Sequence, residues 1–161
     1  MMRQVEITEG FAEADFAPFG GFIDRPAEAG QRRFFSNWLG GEALAPVFHV
    51  NNVPQATLPV MLQRLERHPH AAQCFVPLDV SRFLVTVAPS LADGTADLQG
   101  LKSFILPGTV GVIYAPGVWH AGASVLDRAG AFAVLMWRGA NDDDVFADIE
   151  PTQLVARGAR P

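Results

Sequence analysis

The chain is poor in several things, and each shortage closes off a class of protein. It has one cysteine in 161 residues, Cys74. A single thiol excludes an intramolecular disulfide framework and suits a reducing compartment. Its neighbours Gln73, Phe75 and Val76 place it in a strand-like run, so a core thiol is expected rather than a nucleophile. Basic residues are few: 12 Lys and Arg stand against 17 Asp and Glu, for a net charge of -5. The densest basic spot, Gln31-Arg-Arg33, is too short to form a nucleic-acid surface, and no nucleic-acid partner is expected. Long apolar runs are missing too. Phe132-Ala-Val-Leu-Met-Trp137 is far too short to span a bilayer and has the length of a strand. The stretch Met1 to Glu6 is charged and lacks the apolar centre of a signal peptide. A cytoplasmic protein without membrane association is therefore expected. No internal repeat and no linker interrupts the sequence, which predicts one domain over residues 1–161.

What is present reads as β-structure. The hydrophobic share of 49% supports a real core, and the charged share of 18% supports a globular chain. One helix is predicted over 8–19, with Thr8 as N-cap, Glu9 in its first turn and Phe11, Phe16 and Phe19 as its apolar stripe. Pro18 and Gly20-Gly21 end it. A polar, Gly-rich stretch over 24–41 follows as a surface loop, with Phe34, Phe35 and Trp38 as anchors and Arg33 and Asn37 at a possible pocket lip. From residue 45 onward strands are predicted over 46–50, 58–68, 73–78, 82–88, 102–106, 111–114, 118–120 and 131–137. Pro, Gly, Asp and Asn punctuate them every eight to twelve residues, as in a sandwich or barrel. A short helix is predicted near Leu98 to Leu101. The segment after Asp142-Asp143-Asp144 reads as peripheral, frayed over 157–161, with the three acids forming a solvated turn.

The chemistry-bearing residues fall in two segments. In a strand, alternate side chains share a face, so Glu66 and His68 point one way and Leu65 and Arg67 the other. Gln73 and Phe75 form a second such pair. Downstream, the Pro116-Gly117 turn aims His120 back across the structure. A barrel interior holding Glu66, His68 and Gln73 is polar, and it needs a ligand, metal or water to satisfy it. His68 and His70 flank Pro69 at i and i+2. Together with Gln73 and His120 they form a candidate site for a divalent metal. Tyr114, the only tyrosine, lies on the strand leading to His120, so its hydroxyl can reach the same cavity. Trp119 is a candidate pocket wall. Trp137 and His49 read as structural.

Two histidine-bearing segments that converge from separate strands resemble the two halves of a cupin site. That likeness predicts an all-β fold: a cupin-like double-stranded β-helix, or jelly-roll barrel, with a short N-terminal helix. The run Leu65-Glu-Arg-His-Pro69, then Gln73, Phe75 and Pro77, then Gly111 to Tyr114, then Gly117-Val-Trp-His120 is similar to the ureidoglycolate lyase family. Phe16 to Gly20 and Val80 to Val85 share the likeness, which extends over nearly the whole chain. Departures from the family's usual pattern fall at Lys102, Ile113 and Ala121-Gly122. The resemblance implies a dimeric enzyme that splits ureidoglycolate into glyoxylate and urea during purine-nitrogen salvage. On that reading His68, His120 and Glu66 carry catalysis, and Arg67, Gln73, Lys102, Tyr114 and Trp119 bind substrate. Either histidine can serve as base at neutral pH. Arg67 or Lys102 can hold the substrate carboxylate. The alternative is a cupin that binds a small carboxylate or metal without turnover. The apolar residues Ile113 and Ala121 favour that alternative; Glu66, His68, Tyr114 and His120 favour the enzyme.

Overall fold

A computed structural model describes residues 2–40 and 43–158. Twelve strands build it. The first, β1 (Arg3–Glu9), alternates polar residues with Val5 and Ile7, and Ile7 is buried. Gly10, at φ +76°, ends it in a conformation that favours glycine. This overturns the helix predicted over 8–19. Thr8 lies in β1 opposite Phe104, and only α1 (Glu13–Phe16) is helical. Period-two alternation in β1 wins over the cap-like Thr8-Glu9 pair, and Pro18 keeps α1 from lengthening.

The strands β2 (Gly20–Ile23), β3 (Ala45–Val53), β4 (Val60–Arg67), β5 (Gln73–Asp79) and β6 (Arg82–Ala88) follow. Then come β7 (Lys102–Pro107), β8 (Gly111–Tyr114), β9 (Trp119–His120), β10 (Ser124–Leu126), β11 (Gly130–Arg138) and β12 (Val145–Val155). The short helix expected near Leu98 is a 3-10 turn at Leu98–Gly100, and a second such turn at Ser36–Trp38 punctuates the long loop. Gly41, the expected end of that loop, lies outside the described residues, as do 159–161 of the expected frayed end.

Six strands close a ring in the order β6-β7-β1-β12-β4-β9, with β9 pairing back to β6 and β10 lying beside β6. The other five form a sheet in the order β2-β8-β5-β11-β3. Strand-to-strand pairing is antiparallel except at β1, which runs parallel to both β12 and β7. The segment expected to be peripheral is the longest strand, β12, wedged between β1 and β4. Pro151 reads as a terminator, but it falls where the β12–β4 register shifts between Asp148 and Thr152. A bulge tolerates a residue with no N–H to donate.

Alternation along β6 sets the layers. Leu84 faces the ring interior with Ile7, Leu65 and Leu154. Phe83, Val85 and Val87 face outward, into a cluster shared with Phe22, Phe75, Phe132 and Val134 of the five-stranded sheet. Phe16 of α1 plugs one end of that layer, stacked on Phe22 at 4.4 Å and edge-on to Phe104 at 5.9 Å. The other end, along β4 and β9, is where the layer turns polar. On the far side of the five-stranded sheet, Cys74 and Ile113 pack with Ala72 against Phe35 and Trp38. Cys74 is thus the buried core thiol expected, and burial pushes its pKa up to about 11. Among the described residues no helix is long and apolar enough to cross a membrane.

Candidate active site

The site forms where β4 and β9 meet the inner face of the five-stranded sheet. Glu66, near the end of β4, lies directly opposite His120 of β9. The turn before β9 is tied to both neighbours. Gly117 N–H donates to the His68 carbonyl at 2.8 Å, and Ala115 N–H donates to the Phe19 carbonyl at 2.9 Å. Gly117 sits at φ +77°, which the turn requires. The Pro-Gly turn thereby fixes His68 and His120 relative to one another, with ring centroids 5.3 Å apart.

His120 is fully buried, and its contacts orient it on three sides. Nδ1–H donates to the Val118 carbonyl at 2.9 Å. Nε2 lies 3.0 Å from Gln73 Oε1 and 3.4 Å from Glu66 Oε1. The Tyr114 ring stacks on the imidazole at 4.1 Å, nearly parallel. Gln73 is in turn held by its amide, which donates to Met136 Sδ at 3.8 Å. Glu66 is the exposed member of the group, about a quarter accessible. Its hydrogen bond with His120 holds its carboxyl below the usual carboxylate range; burial opposes this, and the charges of His120 and His68 reinforce it. Burial, aided by the charge of Glu66, pushes the Tyr114 hydroxyl far above its ordinary value.

His68 has one spent nitrogen and one free. Nδ1–H donates to the Asp143 carbonyl at 3.1 Å, and Asp144 Oδ1 lies 2.9 Å from the same nitrogen. Nε2 is buried with no hydrogen-bond partner. Leaving such an atom unpaired costs about 1–3 kcal/mol, which marks it as the atom kept for a ligand. His68, His120 and Glu66 each offer one ligand atom, a ring nitrogen or a carboxylate oxygen, and these lie within 4.8 Å of one another. That is the right chemistry for a divalent cation.

The acidic turn is not merely solvated. Because β12 returns beside β4, with Val145 opposite Arg67, residues 142–144 fold against 68–70. Asp142 pairs with the exposed His70 at 2.7 Å, and Asp143 caps the turn by accepting from Gly139 and Ala140 N–H. Burial raises the Asp144 pKa, but the Arg138 guanidinium and His68 outweigh it and leave the carboxyl below its ordinary value.

The structure brings Glu66, His68, Gln73, Tyr114 and His120 together and leaves other sequence candidates outside. His70 is turned away because β4 ends at Arg67, so strand alternation no longer governs positions 68 to 70. Arg67 points to the opposite face from Glu66, with its guanidinium 4.8 Å from the Trp119 ring. Trp119 itself is in the ring interior, donating Nε1–H to the Gly94 carbonyl at 3.0 Å. Lys102 shares the outer ring face with His120, but the buried Val87 stands between them in register; its ammonium lies over Phe19 at 6.0 Å. Sequence reading missed Asp144, which contacts His68, and Arg138, which holds Asp144. The only cue was a charged pair six residues apart across a turn.

A small β-barrel with acid–base side chains gathered at one end of its strands is the class this architecture defines. The family model for ureidoglycolate lyase matches residues 3–155. The chain belongs to the ureidoglycolate lyase family. It is 35% identical over 134 residues to a ureidoglycolate lyase of Burkholderia cepacia, covering 74% of this chain and 72% of that one. It is 33% identical over 137 residues to that of Burkholderia mallei (strain NCTC 10229), covering 79% of each. The enzyme of Escherichia coli (strain SMS-3-5 / SECEC) matches at 38% over 96 residues, 60% of this chain and 59% of that one. Among solved structures, RmlC from Streptococcus suis, in complex with dTDP-D-xylose, superposes with a TM-score of 0.45 at 14% identity. It covers 82% of this chain and 56% of that chain.

Proposed function

We propose that the protein is a ureidoglycolate lyase that splits ureidoglycolate into glyoxylate and urea, the general reaction of its family. The observation that carries the reading is the bare, buried Nε2 of His68, on a ring that clusters with Glu66 and His120. Ureidoglycolate is a carbinolamide, so its cleavage needs one base and one acid. His68, its tautomer fixed by the Asp143 carbonyl, takes the substrate hydroxyl proton on Nε2. The O–H electron pair becomes the C=O of glyoxylate. The C–N pair leaves on the urea nitrogen, which takes a proton from His120. Both ring nitrogens of His120 face oxygen acceptors, an arrangement that a doubly protonated imidazole satisfies. Glu66 supports that proton from the other side, Gln73 Oε1 accepts from His120 Nε2–H, and Tyr114 offers its hydroxyl to the substrate.

The departures at Ile113 and Ala121 do not weaken this reading. Ile113 packs behind the five-stranded sheet and Ala121 inside the ring, both away from the site. Neither position lines the cleft, so the apolar residues there do not favour a non-catalytic binding protein.

A second reading of the same residues is a metal centre. Glu66, His68 and His120 would hold a divalent ion, which would supply a Lewis acid for the substrate oxygens. Cobalt(II) titration tests it: visible absorption bands in the wild type that His68→Ala abolishes support the ion, and their absence in the wild type refutes it.

The two sheets correspond to the halves of a cupin-like double-stranded β-helix comprising one domain, and the lone buried thiol fits a cytoplasmic setting. The chain pairs as a homodimer. On β11 the apolar residues Phe132, Val134 and Met136 are buried. Phe48 and Val50 of β3 and Val76 and Leu78 of β5 are exposed instead. Val50 and Val76 flank Ala133 on one face, a continuous apolar patch that a second copy would cover. The function is tested with purified protein and racemic ureidoglycolate. Glyoxylate release well above the spontaneous rate sustains the proposal, and a rate equal to the blank removes it.

A further inference from the structure

The substrate proposed above carries a carboxylate, and the cations the sequence offered for it lie over other rings, Arg67 over Trp119 and Lys102 over Phe19. We propose that Arg138 binds the substrate carboxylate and so sets the preference for an acidic carbinolamide over a neutral one. The inference rests on the lyase reading of the site.

Placement is the first support. Arg138 ends β11 two residues after Met136, so it shares the face of Met136 and Gln73. Its Nη1–H donates to Asp144 Oδ2 at 2.6 Å, while Asp144 Oδ1 lies 2.9 Å from His68 Nδ1. The guanidinium is thus one carboxylate away from the proposed base, and Glu66 lies within its electrostatic reach. Unspent donors are the second support. A guanidinium carries five N–H groups in a planar fork, and Asp144 occupies one edge. The side chain is 39% exposed, which leaves the remaining donors open to a ligand, in the geometry that suits a carboxylate. Competition is the third. Arg64 shares Glu66's face by strand parity, but the carboxylate it meets, Asp148, is exposed and does not contact His68, and its guanidinium lies across the exposed Phe146. Arg82 and Arg128 are paired with Asp127 and Asp79, outside the site.

The test compares wild type, Arg138→Gln, Arg138→Lys, Asp144→Asn, Arg67→Gln and Lys102→Gln in two assays. One is calorimetric binding of glyoxylate. The other is turnover of ureidoglycolate and of N-(hydroxymethyl)urea, a carbinolamide without the carboxylate. Hydrogen bonds to a charged group predict roughly ten- to hundred-fold weaker glyoxylate binding in Arg138→Gln, with partial recovery in Arg138→Lys. Its KM for ureidoglycolate rises more than its kcat falls, and turnover of N-(hydroxymethyl)urea falls far less. If Arg138 serves only to hold Asp144 against His68, Arg138→Gln and Asp144→Asn lose both substrates equally, and the proposal is overturned. It is also overturned if glyoxylate binding follows Arg67 or Lys102, or if the wild type binds no glyoxylate. A wild type that binds glyoxylate through Arg138 yet turns over no ureidoglycolate refutes the lyase reading and sustains the anchor.

Discussion

His68 and His120 come from the ends of different strands, yet their rings lie 5.3 Å apart because Gly117 N–H donates to the His68 carbonyl. One backbone hydrogen bond joins the two segments that carry the chemistry. Both histidines are buried, so a change at either is separable from folding only with a polar replacement of similar size. His68→Gln and His120→Gln are expected to lower kcat by roughly 100-fold or more, the usual scale for losing a general acid or base. Circular dichroism and melting curves close to wild type would attribute the loss to chemistry. A loss below about ten-fold in both would remove them from the proton-transfer roles.

Glu66 links the site to acid stability. Its folded pKa is depressed by His120, so its stabilising contribution is fully present above the unfolded carboxylate value, about 4.3, and is lost as pH falls through the lower folded value. Glu66→Gln should therefore melt below the wild type at neutral pH. That gap should close as the pH drops below about 4. A gap that stays constant down to strong acid would mean the carboxylate is not held by His120.

Much of this site could be read from the chain alone. Strand alternation predicts Glu66 and His68 on one face and a Pro-Gly turn points to His120; the two histidines do meet, with the His68 carbonyl tied to Gly117 N–H. The alternation stops at Arg67, however, and His70 went elsewhere for that reason. The acids 142–144 were misread because their role depends on β12 lying against β4, and β12 itself was hidden by Pro151 and its scattered carboxylates. In the same way, β1 was obscured by a Thr-Glu pair that mimics a helix start. Contacts fixed by pairing between distant strands leave no local signature. Arg138, whose partner lies across a turn and whose target lies on another sheet, is the clearest case.

Cys74 is expected to be chemically silent in the folded protein. Its thiol is pushed up to about 11 and packed against Ile113, so almost no thiolate exists near neutral pH. A chromogenic disulfide reagent at pH 8 should label it only after denaturant is added. Stoichiometric labelling of the native protein within minutes would show that this layer opens readily.

The apolar patch on β3 and β5 makes the dimer testable without touching the site. Val50→Asp and Leu78→Asp place charges on exposed positions, so each should fold and bind glyoxylate as wild type does. Light scattering should show the mass of one chain for these variants and of two for the wild type. A wild type that remains a single chain at micromolar concentration would reject the dimer.

Product identity separates a lyase from a hydrolase acting on the same molecule. Elimination releases one urea for each glyoxylate and no ammonia, whereas hydrolysis of the urea group releases ammonia. Quantifying glyoxylate, urea and ammonia together after complete turnover of ureidoglycolate is expected to give equal glyoxylate and urea with ammonia at the blank level. Ammonia rising with glyoxylate, with urea absent, would refute the elimination assigned to His68 and His120.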